Sequence, residues 1–540
     1  MGRLFHTHKF LALGSTVEFK LYDLLAVFIA IATVFAAYFV EDRIYERMAH
    51  FEDEMAYIWQ AQVIAGGDLV LPSPPNPKTF LIPFVIDYNG QRFSKYPPGW
   101  PVILGIGFRT GLEDWVNPLL AGFGIWLLYL LAKRITTGPL GLLTVILMLT
   151  SPMFWMLSGS MLSHAWSLVL ALGFVLAWLD TFIHKEHVGS VVEDIVVQKP
   201  PGWLPATIAG LSLGVLALTR PMDAVGVALP FFIHGIILLV LGDRSTRIRV
   251  LTVGLLAASV SGLLFAWQYA LTGDALLNPY TLWWKYDKVG FGQGYGRWTD
   301  GHNLAHAWQI IKRSLWSPDG TREDVIGWNN LWWIFLPFGL WALRKKTSIW
   351  LVASIFPALV LAYVPYWTGS WEYGPRYYYE GMLSITVLSA AGVAWLAGKK
   401  MGFRKVLTGL LLIALIGHNL FTYLPERLWK MHGMYNIERT MLEPFYTDKA
   451  QVLPPVLILV HIQHSWTEYA GLLELQNAQL TTPFIFALYR RNSNLSEYYE
   501  GFPDRKLYHY FPGSSFTLYP DPRKSLVLDT DSTEKLDTLP

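Results

Sequence analysis

Asp53 and Glu54 are adjacent carboxylates at the start of an amphipathic stretch, FEDEMAYIWQAQVIAGGDL (51–69), just after the first apolar run. Carboxylates of this kind can take a proton from a hydroxyl, and few other residues in the chain could do such acid/base work. Met55, Ile58, Trp59, Gln62 and Val63 fall on one face at helical spacing, and Gly66-Gly67 supply a stop. The stretch therefore predicts a helix lying on the membrane surface. Asp53 and Glu54 would sit in its first turn, where the helix dipole favours anionic carboxylates. From pattern alone, a solvated acidic helix start with no role is the more common account.

The candidate partners are cations. Arg92 and Lys95 precede Pro97-Pro98 in RFSKYPPGWPVILGIG (92–107), placed either to snorkel to headgroups or to meet a lipid phosphate. Arg376 stands in YWTGSWEYGPRYYYEGM (366–382), wrapped by Trp371, Tyr373, Tyr377, Tyr378 and Tyr379. Its planar fork suits bidentate phosphate binding or a cation–π belt. Arg220, in LALTRPMDAV, is another cation at a turn between spans, again anchor or phosphate clamp. His164, in LSGSMLSHAWS, is either a satisfied interfacial residue or a metal ligand or hydrogen-bond donor. His302 with His306 and His461 with His464 have helical spacings but no HExxH or cysteine partner, so the metal signal is weak. His234 and His418 fall within apolar runs, as packed imidazoles or as elements of a proton path. GFGQGYG (290–296) lacks the phosphate-loop ending and reads as a mobile outer loop able to close over a ligand. Asn494-Leu495-Ser496 matches a glycosylation sequon too short to weigh.

The elements that must position these residues are mostly greasy. Of 540 residues, 53% are hydrophobic and 15% charged, and the charges cluster between long apolar runs. Mean hydropathy is +0.33. This is the composition of a polytopic membrane protein. Residues 24–40 carry no ionisable group and, with their flanks, can cross a hydrocarbon core about 30 Å thick. No small-residue cleavage site follows, so the run reads as a retained anchor with a cytoplasmic N-terminus. Further spans read at 113–132, 138–159, 163–183, 203–220, 221–242, 250–272, 325–343, 347–368, 382–398 and 406–425. If 97–108 lies in the interface, about 11 spans remain and the clusters at Lys133-Arg134, Lys185, Arg244–Arg249, Arg344–Lys346 and Lys399–Lys405 are all cytoplasmic, in keeping with the positive-inside bias. Residues 41–112, 274–324 and 369–381 then share the outer face with the tail.

The tail, 426–540, has turn clusters and short β-type runs (VLPPVLILVHI, TPFIFALY, KLYHYFP), which predict a small α/β domain outside the membrane. There is no cysteine, so this domain must fold on its own apolar contacts or dock on the membrane part. Net charge is +2, with no basic stripe interleaved with stacking aromatics, which argues against nucleic acid. The 24 Trp and 27 Tyr crowd near span ends and outer loops, where rings suit an interfacial belt and also carbohydrate faces. No internal repeat is evident.

Taken together, DEMAYIWQA (53–61), KYPPGWP (95–101), LTRP (218–221) and WEYGPRYYYE (371–380) resemble the GT-C superfamily of membrane glycosyltransferases, in particular its protein mannosyltransferase and aminoarabinose transferase-like branch. The resemblance covers residues 20–425. It implies an all-α polytopic GT-C domain over 1–425, with a small α/β extracytoplasmic domain over 426–540, in a bacterial or archaeal cell membrane. It implies transfer of a sugar from a polyprenyl-phosphate donor to a hydroxyl of a protein, glycolipid or glycan. Asp53 matches the family's catalytic aspartate and Glu54 its acidic neighbour; Lys95, Arg220 and Arg376 match positions facing the carrier phosphate. Tyr57, Tyr96, His164, Trp371, Glu372 and Tyr377 are the further substrate-binding candidates. Many relatives carry an aspartate where this chain has His164, so a metal or acceptor role there does not carry over. A divalent metal, with Asp53 and His164 as weak candidate ligands, stays open. The rival readings are a lipid-linked sugar transporter or flippase, and a polysaccharide ligase or polymerase.

Overall fold

The structure, a computed structural model, describes residues 9–12, 15–18, 20–183, 202–316, 325, 331–370, 372–490, 498, 501–512, 517–520 and 526–527. A hairpin of β1 (Lys9–Ala12) and β2 (Ser15–Glu18) precedes α1 (Leu21–Arg43), the first apolar run. There follow α2 (Glu52–Ala65), a three-stranded sheet of β3 (Leu71–Pro72), β4 (Val85–Tyr88) and β5 (Gln91–Ser94), and α3 (Gly99–Thr110). The bundle continues with α4 (Glu113–Ile135), α5 (Gly138–Leu149), α6 (Pro152–Ser158), α7 (His164–Phe182), α8 (Trp203–Thr219), α9 (Pro221–Leu241) and α10 (Arg244–Thr272). After a segment with α11 (Tyr280–Trp283) and α12 (Leu304–Trp316) come α13 (Leu336–Leu343), α14 (Thr347–Ala353), α15 (Ile355–Tyr363), α16 (Met382–Ala397) and α17 (Phe403–His418).

Among the described residues, seven helices are long and apolar enough to cross a membrane, and Trp203–Thr219 and Thr347–Tyr363 are shorter apolar helices. The protein is an integral membrane protein. The expected crossing at 325–343 falls partly outside the described residues, as do Lys185 and the sequon at 494–496. Exposed side chains such as Phe28, Phe35, Phe232, Leu255 and Phe421 form outward faces suited to hydrocarbon.

One expected span is not a straight helix. Residues 138–159 form α5 and α6, bent by 73°. Pro152 has no N–H with which to continue the α5 ladder, and the Ser151 hydroxyl instead accepts from Phe154 N at 3.2 Å to start α6. The Asn419 amide donates to the Thr150 carbonyl freed by the break. Hydropathy is blind to such a bend.

One end of the bundle gathers basic groups. Asp23, at the start of α1, accepts from Tyr129 at 2.8 Å and pairs with Lys133 near the end of α4. Arg134 pairs with Asp180 at 2.6 Å, and Lys346 donates to the Ile135 carbonyl at 2.6 Å. At the other end, α3 is seated against the end of α8. A Cβ on Gly99 would lie 2.4 Å from Thr219 Oγ1 and 2.7 Å from the Leu218 carbonyl carbon, so only glycine permits this approach. Lys95, Tyr96 and Arg220 line one cavity.

In the tail, α18 (Leu424–Trp429), α19 (Asp448–Gln451) and α20 (Thr467–Ala470) accompany β6 (Val456–Val460), β7 (Phe484–Leu488), β8 (Lys506–Tyr510), β9 (Thr517–Pro520) and β10 (Leu526–Val527). The strands form one sheet in the order β10-β9-β8-β6-β7, with β6 parallel to both β7 and β8. VLILV and FIFAL are buried throughout because both faces of the sheet are covered. The expected α/β unit is present, and it both builds its own core and docks. Phe80 packs with Leu457, Leu459, Ile485 and Ala487, the Gln62 side chain accepts from Ala478 N at 2.9 Å, and His50 Nε2 meets the Ile437 carbonyl at 3.0 Å. In α2, Met55, Ala56, Tyr57, Trp59, Gln60, Ala61 and Val63 are buried, around most of its circumference rather than along one face.

Candidate active site

The two acidic neighbours point to different places. Phe51 is extended (φ −110°, ψ 146°) and caps α2. Glu54, three residues on, reaches back so that its Oε2 accepts from His50 N and Phe51 N, each at 3.0 Å, while Oε1 accepts from Met161 N at 2.9 Å. Burial pushes its carboxyl up to about 7 against the pull of these N–H groups. Glu54 is not among the cavity-lining residues; its carboxylate ties the start of α2 to the α6–α7 turn.

Asp53 lies one residue earlier and so faces another way, into the cavity. Its Oδ2 accepts from Arg376 Nη2 at 3.0 Å and its Oδ1 from the Tyr96 hydroxyl. Burial opposes its charge, but the attraction of Arg376, the Tyr96 hydrogen bond and the nearby Lys95 outweigh it and hold the carboxyl below its ordinary value.

The cavity measures about 590 Å³ and is lined by Asp53, Tyr57, Lys95, Tyr96, His164, Arg220, Glu372, Arg376 and Tyr377, among others. Nine of the eleven sequence candidates thus share it. Glu54 turns away, and Trp371 lies outside the described residues. Tyr57 packs on Tyr96 with ring centroids 4.4 Å apart, and the Arg376 guanidinium lies 5.2 Å from the Phe51 ring.

Lys95 is buried in an aromatic cage, its Nζ 3.5 Å from the Phe84 ring centre, 4.9 Å from Tyr280 and 5.0 Å from Trp284. Burial lowers its pKa, while Asp287 and Asp53 pull it back up. Asp287 Oδ2 lies 3.6 Å from Nζ, and Oδ1 accepts from Tyr366 at 3.0 Å and Trp367 Nε1 at 2.9 Å. Sequence reading missed Asp287: nothing in the spacing of WWKYDKVG distinguishes it from a solvated loop acid.

Arg220 caps the end of α8 and the start of α9. Its Nε pairs with Asp223 and lies 3.9 Å from Glu380 Oε1. Asp223 also accepts from Tyr363 at 2.9 Å, Ser167 donates to Glu380, and Tyr363 stacks on Tyr377 at 4.8 Å. Asp223 and Glu380 were also missed. The i,i+3 spacing in RPMD was the available signal for the first; the second stood unassigned inside YYYE. Both fix the guanidinium in place.

His164 is buried, meets the Tyr379 ring edge-on at 5.9 Å, and has no hydrogen-bond partner at either ring nitrogen among the described residues. Arg92 is not at the cavity; it donates to the Phe80 carbonyl and lies 3.6 Å from Asp87. His302 Nε2 meets the Val364 carbonyl at 2.9 Å, His461 meets His509 at 2.9 Å, and His234 takes the Trp178 indole N–H at 3.1 Å. No group of three or more His, Cys, Asp or Glu is placed to hold a metal ion among the described residues. The glycine-rich loop is tied down at Gly290, whose N–H donates to the Pro365 carbonyl at 2.8 Å, and Val289 and Arg297 line the cavity.

No family model matches the sequence. No curated protein matches it either. Solved structures do. ArnT from Cupriavidus metallidurans bound to undecaprenyl phosphate is similar with a TM-score of 0.54 at 14% identity, over 94% of this chain and 98% of that one. The apo oligosaccharyltransferase of Archaeoglobus fulgidus gives 0.52 at 14% identity, over 86% of this chain and 64% of that one, so this chain spans less than two thirds of its length. Archaeal oligosaccharyltransferase AglB from Archaeoglobus fulgidus, in complex with an inhibitory peptide and a dolichol-phosphate, gives 0.51 at 13% identity, over 91% and 69%. The chain therefore shares the fold of these solved structures.

Proposed function

We propose that the protein transfers a sugar from a polyprenyl-phosphate donor to an acceptor hydroxyl, with Asp53 as general base. The observation that carries this reading is the Asp53 carboxyl group accepting from Arg376, in a cavity shared with Arg220 and Lys95. In the reaction, Asp53 takes the hydroxyl proton and the acceptor oxygen bonds to the anomeric carbon. The bond from that carbon to the phosphate oxygen breaks, and the charge left on phosphate meets Arg376, Arg220 and Lys95. One displacement suffices, so the anomeric configuration inverts. The undecaprenyl phosphate in ArnT and the dolichol-phosphate in AglB support a lipid-phosphate donor. The gathering of Lys133, Arg134 and Lys346 at the end remote from the cavity supports a cytoplasmic basic end and an extracytoplasmic site. A transporter would concentrate its ionisable groups near the midplane instead.

The test is mass spectrometry of lipid co-purified with the protein, followed by incubation of purified protein with polyprenyl-phosphate sugars. Release of polyprenyl phosphate with transfer of the sugar is the expected result. A protein that binds these lipids yet leaves every sugar–phosphate bond intact contradicts the reading.

A further inference from the structure

One group of cavity-lining residues carries no cation. Glu52 and Glu372 line the cavity, and so do Tyr435, Trp466 and Thr467, which come from the tail. Trp466 lies in the segment that leaves the carboxyl end of β6, and α20, which begins at Thr467, packs on the Met434–Asn436 turn. The tail therefore brings two aromatic side chains to the cavity on adjoining segments.

Tyr435 is held there at a cost. Its backbone is left-handed (φ 59°, ψ 22°), a conformation uncommon for a bulky residue. The residue is 47% exposed, so core burial does not account for it. The hydroxyl lies 3.3 Å from Glu372 Oε1, and the ring centroid lies 5.9 Å from that of Phe51, next to Glu52 and Asp53.

Aromatic faces beside carboxylates match the two chemistries of a sugar ring: an apolar face of C–H groups that stacks, and hydroxyls that donate. Carboxyl oxygens accept from hydroxyl donors, and two carboxyl groups side by side disfavour a phosphorylated or carboxylated acceptor.

We propose that Trp466, Tyr435, Glu52 and Glu372 form the acceptor subsite, and that the acceptor is an uncharged carbohydrate which stacks on Trp466, donates to the two glutamates and presents one hydroxyl to Asp53. This rests on the glycosyl-transfer reading above and makes the tail the element that selects the acceptor.

The test uses full-length protein and whichever polyprenyl-phosphate sugar it cleaves, with neutral methyl glycosides and oligosaccharides, a phosphorylated oligosaccharide and a Ser/Thr peptide as acceptors. Transfer to the neutral glycans is expected. Trp466→Ala should raise acceptor KM about tenfold or more while donor KM moves less than about twofold, and Trp466→Phe should restore most of the loss. Preference for the peptide or the phosphorylated glycan overturns the proposal, as does an unchanged acceptor KM in Trp466→Ala. A wild-type protein that cleaves no donor removes the glycosyl-transfer reading itself, an outcome distinct from donor cleavage with the wrong acceptor.

Discussion

The guanidinium of Arg376 donates to the carboxylate of Asp53 at 3.0 Å across 323 positions of sequence. The proposed base and a proposed phosphate ligand thus hold each other. The pair keeps a buried acid ionised, and it aims a planar fork into the cavity.

Removing that fork should act on both partners. Arg376→Ala should lower kcat/KM by about 10²–10³, the size of loss typical of one charge-stabilising donor. Arg376→Lys should rescue little, because a point charge cannot reproduce the fork. The pH profile supplies the sign. With Arg376 present, the Asp53 pKa lies below its ordinary value of 3.8, so activity that needs its ionised form fails only as pH falls through that lower range. Without Arg376, the opposing effect of burial gains weight, and the acid limb of kcat/KM should move to higher pH. An acid limb unmoved in Arg376→Ala contradicts the coupling.

Glu54 should matter for folding rather than chemistry. Glu54→Gln replaces one accepting oxygen with an NH₂ that faces backbone N–H groups, at a cost of about 1–3 kcal/mol. Thermal melts in detergent should show the loss, with donor KM little changed in the folded fraction. Burial raises the folded-state pKa from 4.5 to about 7, so this group binds a proton on folding between those values. Its stabilising contribution is full below about pH 4.5 and is lost as pH rises through about 7, a slope that Glu54→Gln should flatten.

Much of this site could be read from the chain. Asp53, Lys95, Arg220 and Arg376 stand out because each is a charge close to the end of an apolar run, and the fold brings all four to one cavity. What could not be read is which of two adjacent acids faces inward, because that depends on Met161 supplying an N–H from a distant turn. The counter-charges Asp287, Asp223 and Glu380 escaped for a similar reason: each is an ordinary acid until tertiary contacts put it against a cation. The tail's strands were legible from their apolar runs, but not their docking on α2, since a contact such as Ala478 N to the Gln62 side chain joins residues whose local sequence carries no sign of a distant partner.

The absence of cysteine makes the orientation simple to test. Single cysteines in place of Lys400 and of the exposed Tyr446 should label from opposite sides of intact cells with an impermeant maleimide. Tyr446→Cys should react directly and Lys400→Cys only after permeabilisation. Equal labelling of both without permeabilisation contradicts the topology.

A single displacement also fixes the product. NMR of the transferred sugar should show an anomeric configuration opposite to that of the donor, whereas retention calls for a covalent intermediate and a second step.

The central claim is that Asp53 removes the acceptor proton, and Asp53→Asn tests it most directly because the amide keeps the shape and loses the basicity. Turnover of a purified polyprenyl-phosphate sugar should fall by about 100-fold or more, with donor affinity changed by less than about threefold. Turnover at the wild-type rate in Asp53→Asn would contradict the account.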